Sequence, residues 1–303
     1  MISLTTQADA TPLDPGPEKV YKPTSPSRDR WRQVMHNRMA VMGLTILGLL
    51  ALIAIFAPFV APYDPLEMDL KNNLQGPSSA HWLGTDKLGR DVLSRVIFGS
   101  RISLTVGFIV QGIALVVGVL LGAISGYFGG LLDMVIQRLV DVVMAFPFLI
   151  LSIAIVSLIG PSLTNMMLVL GGVVWVDYTR MVRGMVLSVK EQEYITAARV
   201  VGAKNRRIIF RHVLPGTINV IIVQATFGIA SAILAASSLS FLGMGAQPPT
   251  PEWGALLADA KPYLRQFPLM SIAPGVAIMI TVLAINFVGD ALRDAFDPRV
   301  LKV

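Results

Sequence analysis

The amino-acid sequence predicts an all-α integral membrane protein of six transmembrane helices with its N- and C-termini both cytoplasmic. Three observations carry that expectation. Of the 303 residues, 54% are hydrophobic and only 15% are charged, against roughly 25% charged in an ordinary soluble domain. The apolar residues fall in blocks of about twenty, the length that crosses roughly 30 Å of hydrocarbon at about 1.5 Å per residue. Lys and Arg are unequally shared between alternate connecting segments, as their retention on the cytoplasmic side of a membrane requires.

Residues 1–38 read as a cytoplasmic tail, followed by a transmembrane domain over 39–303. Positions 1–27 are rich in Pro, Ser and Thr with no long apolar run, so they cannot bury enough surface to offset the entropy of ordering. Arg28, Arg30, Arg32 and Arg38, with Trp31 among them, suit a basic juxtamembrane helix on an anionic lipid surface. Met39 to Val60 is uncharged over 22 residues, longer than the roughly 7–15 residues of a signal-peptide core, and is expected as an uncleaved first span.

Further spans are expected at 102–124, 142–159, 163–182, 218–239 and 269–288, each bounded by charges or by Pro and Gly clusters. The fourth has a short uncharged core and carries Asp177 and Arg180 in its last turns, so five spans is the alternative count. With six spans and the N-terminus inside, the inner segments hold eighteen Lys and Arg against twelve acids, and the outer segments hold seven of each. The net charge of +6 therefore sits on the inner face. It reports orientation, and a nucleic-acid partner, which would want a basic patch on a soluble module, is not expected.

No catalytic constellation is visible, and an enzyme is not expected. The chain has no Cys, its three histidines (His36, His81, His212) are far apart, and it contains no Gly-Lys dipeptide. Disulfide, thiolate, metal and P-loop chemistry drop out. Nucleotide-driven transport would then place the nucleotide on another chain. The expected span cores hold no ionisable group, only Gln111, Gln224 and Asn286 as larger polar residues. This argues against a proton-coupled carrier, though a sodium site built from carbonyls would escape the test.

The long inner loop over 190–215 is the most informative segment. Tyr194, Ile195, Ala198 and Val201 recur at helical spacing as one apolar strip, with Glu191, Glu193, Thr196 and Arg199 around the remainder. Two acids open the helix and Gly202 can cap its end, so about three turns are expected. Lys204, Arg206, Arg207 and Arg211 follow, then Pro215 at the mouth of the fifth span. Such a helix suits a groove on a cytoplasmic partner; the alternative is an interfacial anchor for the loop.

Ala197, Ala198, Gly202, Leu214 and Pro215 also match the spacing of the EAA motif of bacterial ABC importer permeases, with Thr196 in place of Glu and His212 in place of Ile. His81-Trp-Leu-Gly-Thr-Asp86 with Gly89–Arg95, Leu239–Gly254 and Val288–Pro298 resemble the peptide and nickel branch of that family, specifically the C-type subunit of dipeptide permeases. The resemblance spans about residues 30–300. It implies a permease fold in a bacterial cytoplasmic (inner) membrane, beside a homologous second permease. Two cytoplasmic ATPases that bind ATP and Mg would lie beneath, and a periplasmic or lipid-anchored substrate-binding protein above. The chain itself would carry no cofactor, and Glu191, Glu193, Tyr194, Thr196, Ala197, Ala198, Arg199, Gly202 and Arg206 would form the ATPase-coupling region. The implied substrate is a dipeptide, with oligopeptide, nickel or glutathione as alternatives inside the family and a stand-alone secondary transporter outside it.

Smaller features complete the expectations. Gly118, Gly122, Gly126 and Gly130 form a stripe at i, i+4 spacing that lets another helix approach closely. Asp141 and Arg180 are placed to meet across the third and fourth spans; the alternative is that they, with Arg138 and Asp177, are charges snorkelling to the lipid interface. Gln224, Ser231, Ser237 and Ser238 in the fifth span, with Asn286 in the sixth, are expected to line a passage or to bond between helices. Pro147, Pro215 and Pro274 are expected to bend their helices. Trp82 and Trp253 are expected at interfacial depth, in outer segments suited to docking a binding protein.

Overall fold

Residues 26–296 are described by a computed structural model; the expected tail lies outside them up to residue 25. Helices account for every long element among these residues: α1 (Pro26–His36), α2 (Arg38–Ile55), α3 (Ala57–Val60), α4 (Val92–Phe128), α5 (Gly130–Met144), α6 (Phe148–Ile159), α7 (Leu163–Val189), α8 (Glu193–Val200), α9 (Asn205–Ile208), α10 (Leu214–Phe241), α11 (Trp253–Ala260) and α12 (Leu269–Phe296). Their starts follow the chemistry of orphan amide groups. Asn37, Asp91, Ser162 and Glu252 each accept a backbone N–H in the first turn of α2, α4, α7 and α11.

Four of these elements are long and apolar enough to cross a membrane: α2, α4, α12 and the run Asn205–Phe241, which includes α10. The bent pair α5–α6 brings the number to five when its two helices are counted as one span. The bend expected at Pro147 within the span over 142–159 is present: the chain breaks at 145–147 and turns by 89°, because Pro147 has no N–H to give and crowds the preceding turn. The fifth span is also longer than expected. It reaches back to Asn205 through a π-type turn at Ile209–Val213, just before Pro215. Pro274 lies inside the otherwise continuous α12.

The helix directions follow from close contacts. Added Cβ atoms on Gly171, Gly118, Gly122 and Gly126 would strike, in turn, Ile113, Trp175 and Tyr178, Thr179 and Val182, and Arg183 and Val186. Both residue series rise together, so α4 and α7 run parallel. Gly107 faces Ile233 and Gly228 faces Gln111, so α10 runs antiparallel to α4. Ala40 packs with Ala291 and Ala295, and Gly43 meets Ala284 and Val288, so α2 and α12 are antiparallel. The starts of α2 and α10 and the ends of α4, α7 and α12 consequently share one end of the bundle, together with α8.

Gly118, Gly122 and Gly126 lie against α7 with their stripe buried. A Cβ on Gly122 would sit 2.7 Å from Thr179 O, and one on Gly118 2.4 Å from Tyr178 Cβ. Gly130 does not continue the stripe. α4 ends at Phe128, and Gly129 and Gly130 take φ +66° and +58° in the turn to α5.

Candidate functional site

Three places carry polar organisation: the end of the bundle opposite α8, a cavity between α4, α7 and α10, and α8 itself.

At the far end, the stretches 81–95 and 239–254 knit together. Gly84 and Gly89 adopt φ +79° and +74°, and a Cβ there would lie 2.3 Å from Gln75 O and 1.8 Å from Asp69 O. That turn buries Asp86, which accepts from the amides of Leu88 (2.8 Å) and Arg90 (3.0 Å), from Arg90 Nε (2.7 Å) and from Arg95. Burial pushes the Asp86 carboxyl up, but the Arg95 and Arg90 guanidinium groups and the two amides outweigh it and hold it below its ordinary value. Asp259 of α11 sits 2.8 Å from Lys87 Nζ and 3.8 Å from Arg90, tying this turn to α11. Glu252 caps α11 and accepts from Ser103 Oγ at 3.2 Å. Trp253 is 1% exposed, its indole N–H donating to Val96 O at 3.0 Å. It is a core residue of this end, whereas Trp82 is 69% exposed.

The cavity has a volume of about 340 Å³, and its walls include Gln111, Phe148, Asp177, Tyr178, Gln224, Phe227, Gly228 and Ser231. Of the residues expected to line a passage, Gln224 and Ser231 meet here on one face of α10. Ser237 is buried against Gly254, Ser238 donates to Leu234 O at 2.8 Å, and Asn286 is half-buried on α12 outside this wall. α7 runs on to Val189, so Asp177 falls near its middle. It was expected in the last turns of the fourth span, outside an uncharged core, and lies instead well inside the helix. Asp177 and Arg180 also keep α7 out of the group of long apolar helices, although its 27 residues make it about 40 Å long.

The expected Asp141 to Arg180 pair does not form. Arg180 Nη1 lies 3.0 Å from Met144 Sδ, and Asp141 is 3.9 Å from Arg138 on its own helix. The connection between α5 and α7 is made one turn along by Arg183, which grips Asp133 at 2.6 and 2.7 Å with Ser125 Oγ donating to the same carboxylate. Fifty residues separate the partners in sequence, so only the fold brings them together.

α8 has 8 residues, about two turns where three were expected, because Glu191 and Gln192 precede its first turn. Gly202, at φ +80°, ends it as foreseen: its N–H reaches Arg199 O (2.9 Å) and that of Ala203 reaches Ala198 O (3.0 Å), a Schellman arrangement. The expected apolar strip is divided. Ile195 is fully buried with Val182, Val186, Ile208, Ile209 and Val213 and Ala198 packs beside it, while Tyr194 is exposed and Val201 is 83% exposed. Glu191, Glu193, Thr196, Ala197, Arg199, Gly202 and Arg206 are exposed as well. Two contacts missed by sequence reasoning reach from the end of α4: the Arg199 guanidinium of α8 lies 5.6 Å from the Tyr127 ring centroid, and Tyr127 Oη donates to Asn205 Oδ1 of α9 at 3.0 Å. Lys190 Nζ caps α4 by donating to Gly126 O at 3.1 Å.

Comparison with known proteins adds a lineage to this geometry. Residues 118–302 match the family described as the binding-protein-dependent transport system inner membrane component, and residues 25–77 match the N-terminal membrane domain of oligopeptide transport permease C. The chain is 46% identical to the dipeptide transport system permease protein DppC of Alkalihalophilus pseudofirmus, over 95% of each chain. It is 42% identical to the DppC of Haemophilus influenzae, over 92% of this chain and 97% of that one. It is 43% identical to the glutathione transport system permease protein GsiD of Pectobacterium atrosepticum, over 91% and 92%. An inward-facing structure of the MetNI methionine ABC transporter shares the fold with a TM-score of 0.56 at 19% identity, over 67% of this chain and 97% of that chain.

Proposed function

The chain belongs to the family of inner membrane components of binding-protein-dependent transport systems, and from that premise we propose that it is the peptide-conducting permease subunit of an ATP-driven importer, with dipeptides as its foremost substrates. Its relatives named for dipeptides support that substrate class. Relatives named for glutathione support a second reading inside the same family, import of that modified tripeptide.

The observation that carries the mechanism is α8. An eight-residue helix is too short to persist alone in water, so its place depends on Ile195 buried with Val182 and Val186 of α7 and with Ile208, Ile209 and Val213 of the turn that leads into α10, with Tyr194, Val200 and Val201 left exposed. In this reading the exposed face sits on a cytoplasmic ATPase. Closure of two such ATPases on ATP and Mg draws the coupling helices of this chain and a homologous second permease together. The buried face then transmits that displacement into α7 and, through residues 208–213, into α10. The nucleotide and its metal stay on the partner chains, so this subunit is non-catalytic and carries no cofactor.

The parallel run of α4 and α7 supports a six-span arrangement, since the chain must recross the membrane between them, through α5 and α6, before α7 can descend beside α4. Residues 39–303 then form the permease domain with residues 1–38 as its tail. The end bearing α8 faces the cytoplasm of a bacterial cell, where both termini also lie, as the inner excess of Lys and Arg demands. Lipid surrounds the bundle, and the cap of Asp86, Arg90, Arg95 and Trp253 faces a substrate-binding protein on the outer side. Uptake by vesicles holding all partners, compared for dipeptides, longer peptides, glutathione and nickel, tests the assignment: dipeptide uptake that needs ATP supports it, and uptake by this chain alone rejects it.

A further inference from the structure

Gln111 is 4% exposed, yet its Oε1 has no hydrogen-bond partner. Its Nε2 donates to Tyr178 Oη, and Gly228 leaves room for the amide, because a Cβ there would lie 2.3 Å from Gln111 Oε1. A buried acceptor without a donor is costly, and this one lines the cavity between α4, α7 and α10. The next residue after Tyr178 in the wall is Asp177. Asp177 is an exposed residue of that wall and its carboxylate forms no ion pair among the described residues, although Arg180 attracts it electrostatically from one turn away. Phe148 and Phe227 present aromatic surface to the same space.

We propose that this cavity is a transient binding site for the α-ammonium group of a peptide in transit, with Asp177 as its countercharge and Gln111 Oε1 as a neutral acceptor. The chemistry is matched: a primary ammonium has three donors and no acceptor, the free groups here accept, and aromatic faces attract a cation. At about 340 Å³ the volume falls in the range of small-molecule sites, roughly 300–1,000 Å³. One charge rather than an ion-pair cage suits a site that must release what it holds. The inference rests on the peptide-permease reading and adds to it the residues that select for a free amino end.

The chain has no native cysteine, so Ser231→Cys in the cavity wall gives a single thiol. The experiment measures how fast a small thiol reagent labels it in the transporter assembled with its second permease and ATPases, without the binding protein. A dipeptide with a free amino end is expected to slow labelling about tenfold or more at saturation, and its N-acetylated form is not. Protection is expected to disappear with Asp177→Asn, to survive with Asp177→Glu, and to weaken with Gln111→Leu. Equal protection by both peptides, protection by sodium ions alone, or protection that survives Asp177→Asn overturns the site. Dipeptide uptake by the complete transporter is read in parallel. Uptake without protection rejects the site alone, and neither uptake nor protection rejects the peptide-permease reading with it.

Discussion

Replacing Ile195 with Ala strikes the one fully buried residue of α8. Isolated helices shorter than about 12–15 residues are marginal in water, so the eight residues Glu193–Val200 depend on attachment. Truncating a buried Ile to Ala costs about 2–5 kcal/mol, with the upper part of that range reached when the hole cannot collapse. The neighbours Val182, Val186, Ile208 and Val213 belong to helices held by other contacts, so collapse is limited and about 3 kcal/mol is expected, which is a factor of about 100 in the docked population. Amide exchange in the assembled transporter reads this directly. The amides of Ala197 to Val201 are expected to exchange about a hundredfold faster in Ile195→Ala while those of α12 keep their rates, and ATP hydrolysis is expected to uncouple from uptake. Unchanged exchange in α8, or full coupling despite faster exchange, refutes the claim that this side chain attaches the lever.

Three further outcomes are expected. Gly122→Ala places a Cβ 2.7 Å from Thr179 O and should cost about 1–3 kcal/mol as overpacking, measured by unfolding in mixed detergent; Gly112→Ala, with open space at the same helix, should be neutral or stabilising. Charge reversal at Asp133 or Arg183 should each destabilise by about 1 kcal/mol, the discounted worth of a partly exposed bidentate pair, and the double reversal should recover it. The same exchange at Asp141 and Arg180 should recover nothing, because those residues do not meet. The Asp86 carboxyl is held below its ordinary value in the fold, so its contribution is complete above the unfolded value of about 3.9 and is lost as pH falls through its lower folded value. Amide protection over residues 74–95 should therefore drop in acid, and Asp86→Asn should remove that dependence while lowering protection at neutral pH.

Much of the bundle was legible because its cause is local. Runs such as Met39–Ile55 and Ile102–Ile124 are uncharged and mostly apolar, and the turn forced by Gly202 follows from its own backbone freedom. Long-range features were not legible in the same way. Periodicity marked Tyr194, Ile195, Ala198 and Val201 as one strip, but which edge of it is covered depends on α9 and α7 folding over Ile195. The end of α7 was misplaced because Asp177, Arg180 and Arg183 resemble a boundary, whereas the glycine stripe of α4 and the Asp133 carboxylate give that charged stretch a reason to stay helical. The burial of Trp253 was not legible, because it depends on Gly99 and Gly254 letting the backbone of 251–254 press onto α4 and α10. Pro147 announced a bend but not its size of 89°. In the passage, serine spacing alone did not separate Ser231, on the cavity, from Ser237, pressed against α11.

The most direct test of the whole account exploits the absence of native cysteine. A single thiol is introduced either at Val201, 83% exposed beside α8, or at Trp82, 69% exposed at the opposite end, and the intact transporter is treated with a short bifunctional reagent and with a membrane-impermeant one. Val201→Cys is expected to cross-link to an ATPase subunit, with a yield that changes when ATP binds, while Trp82→Cys is labelled only from outside the cell. Labelling of Val201→Cys from outside, or no ATPase adduct in any nucleotide state, would contradict it.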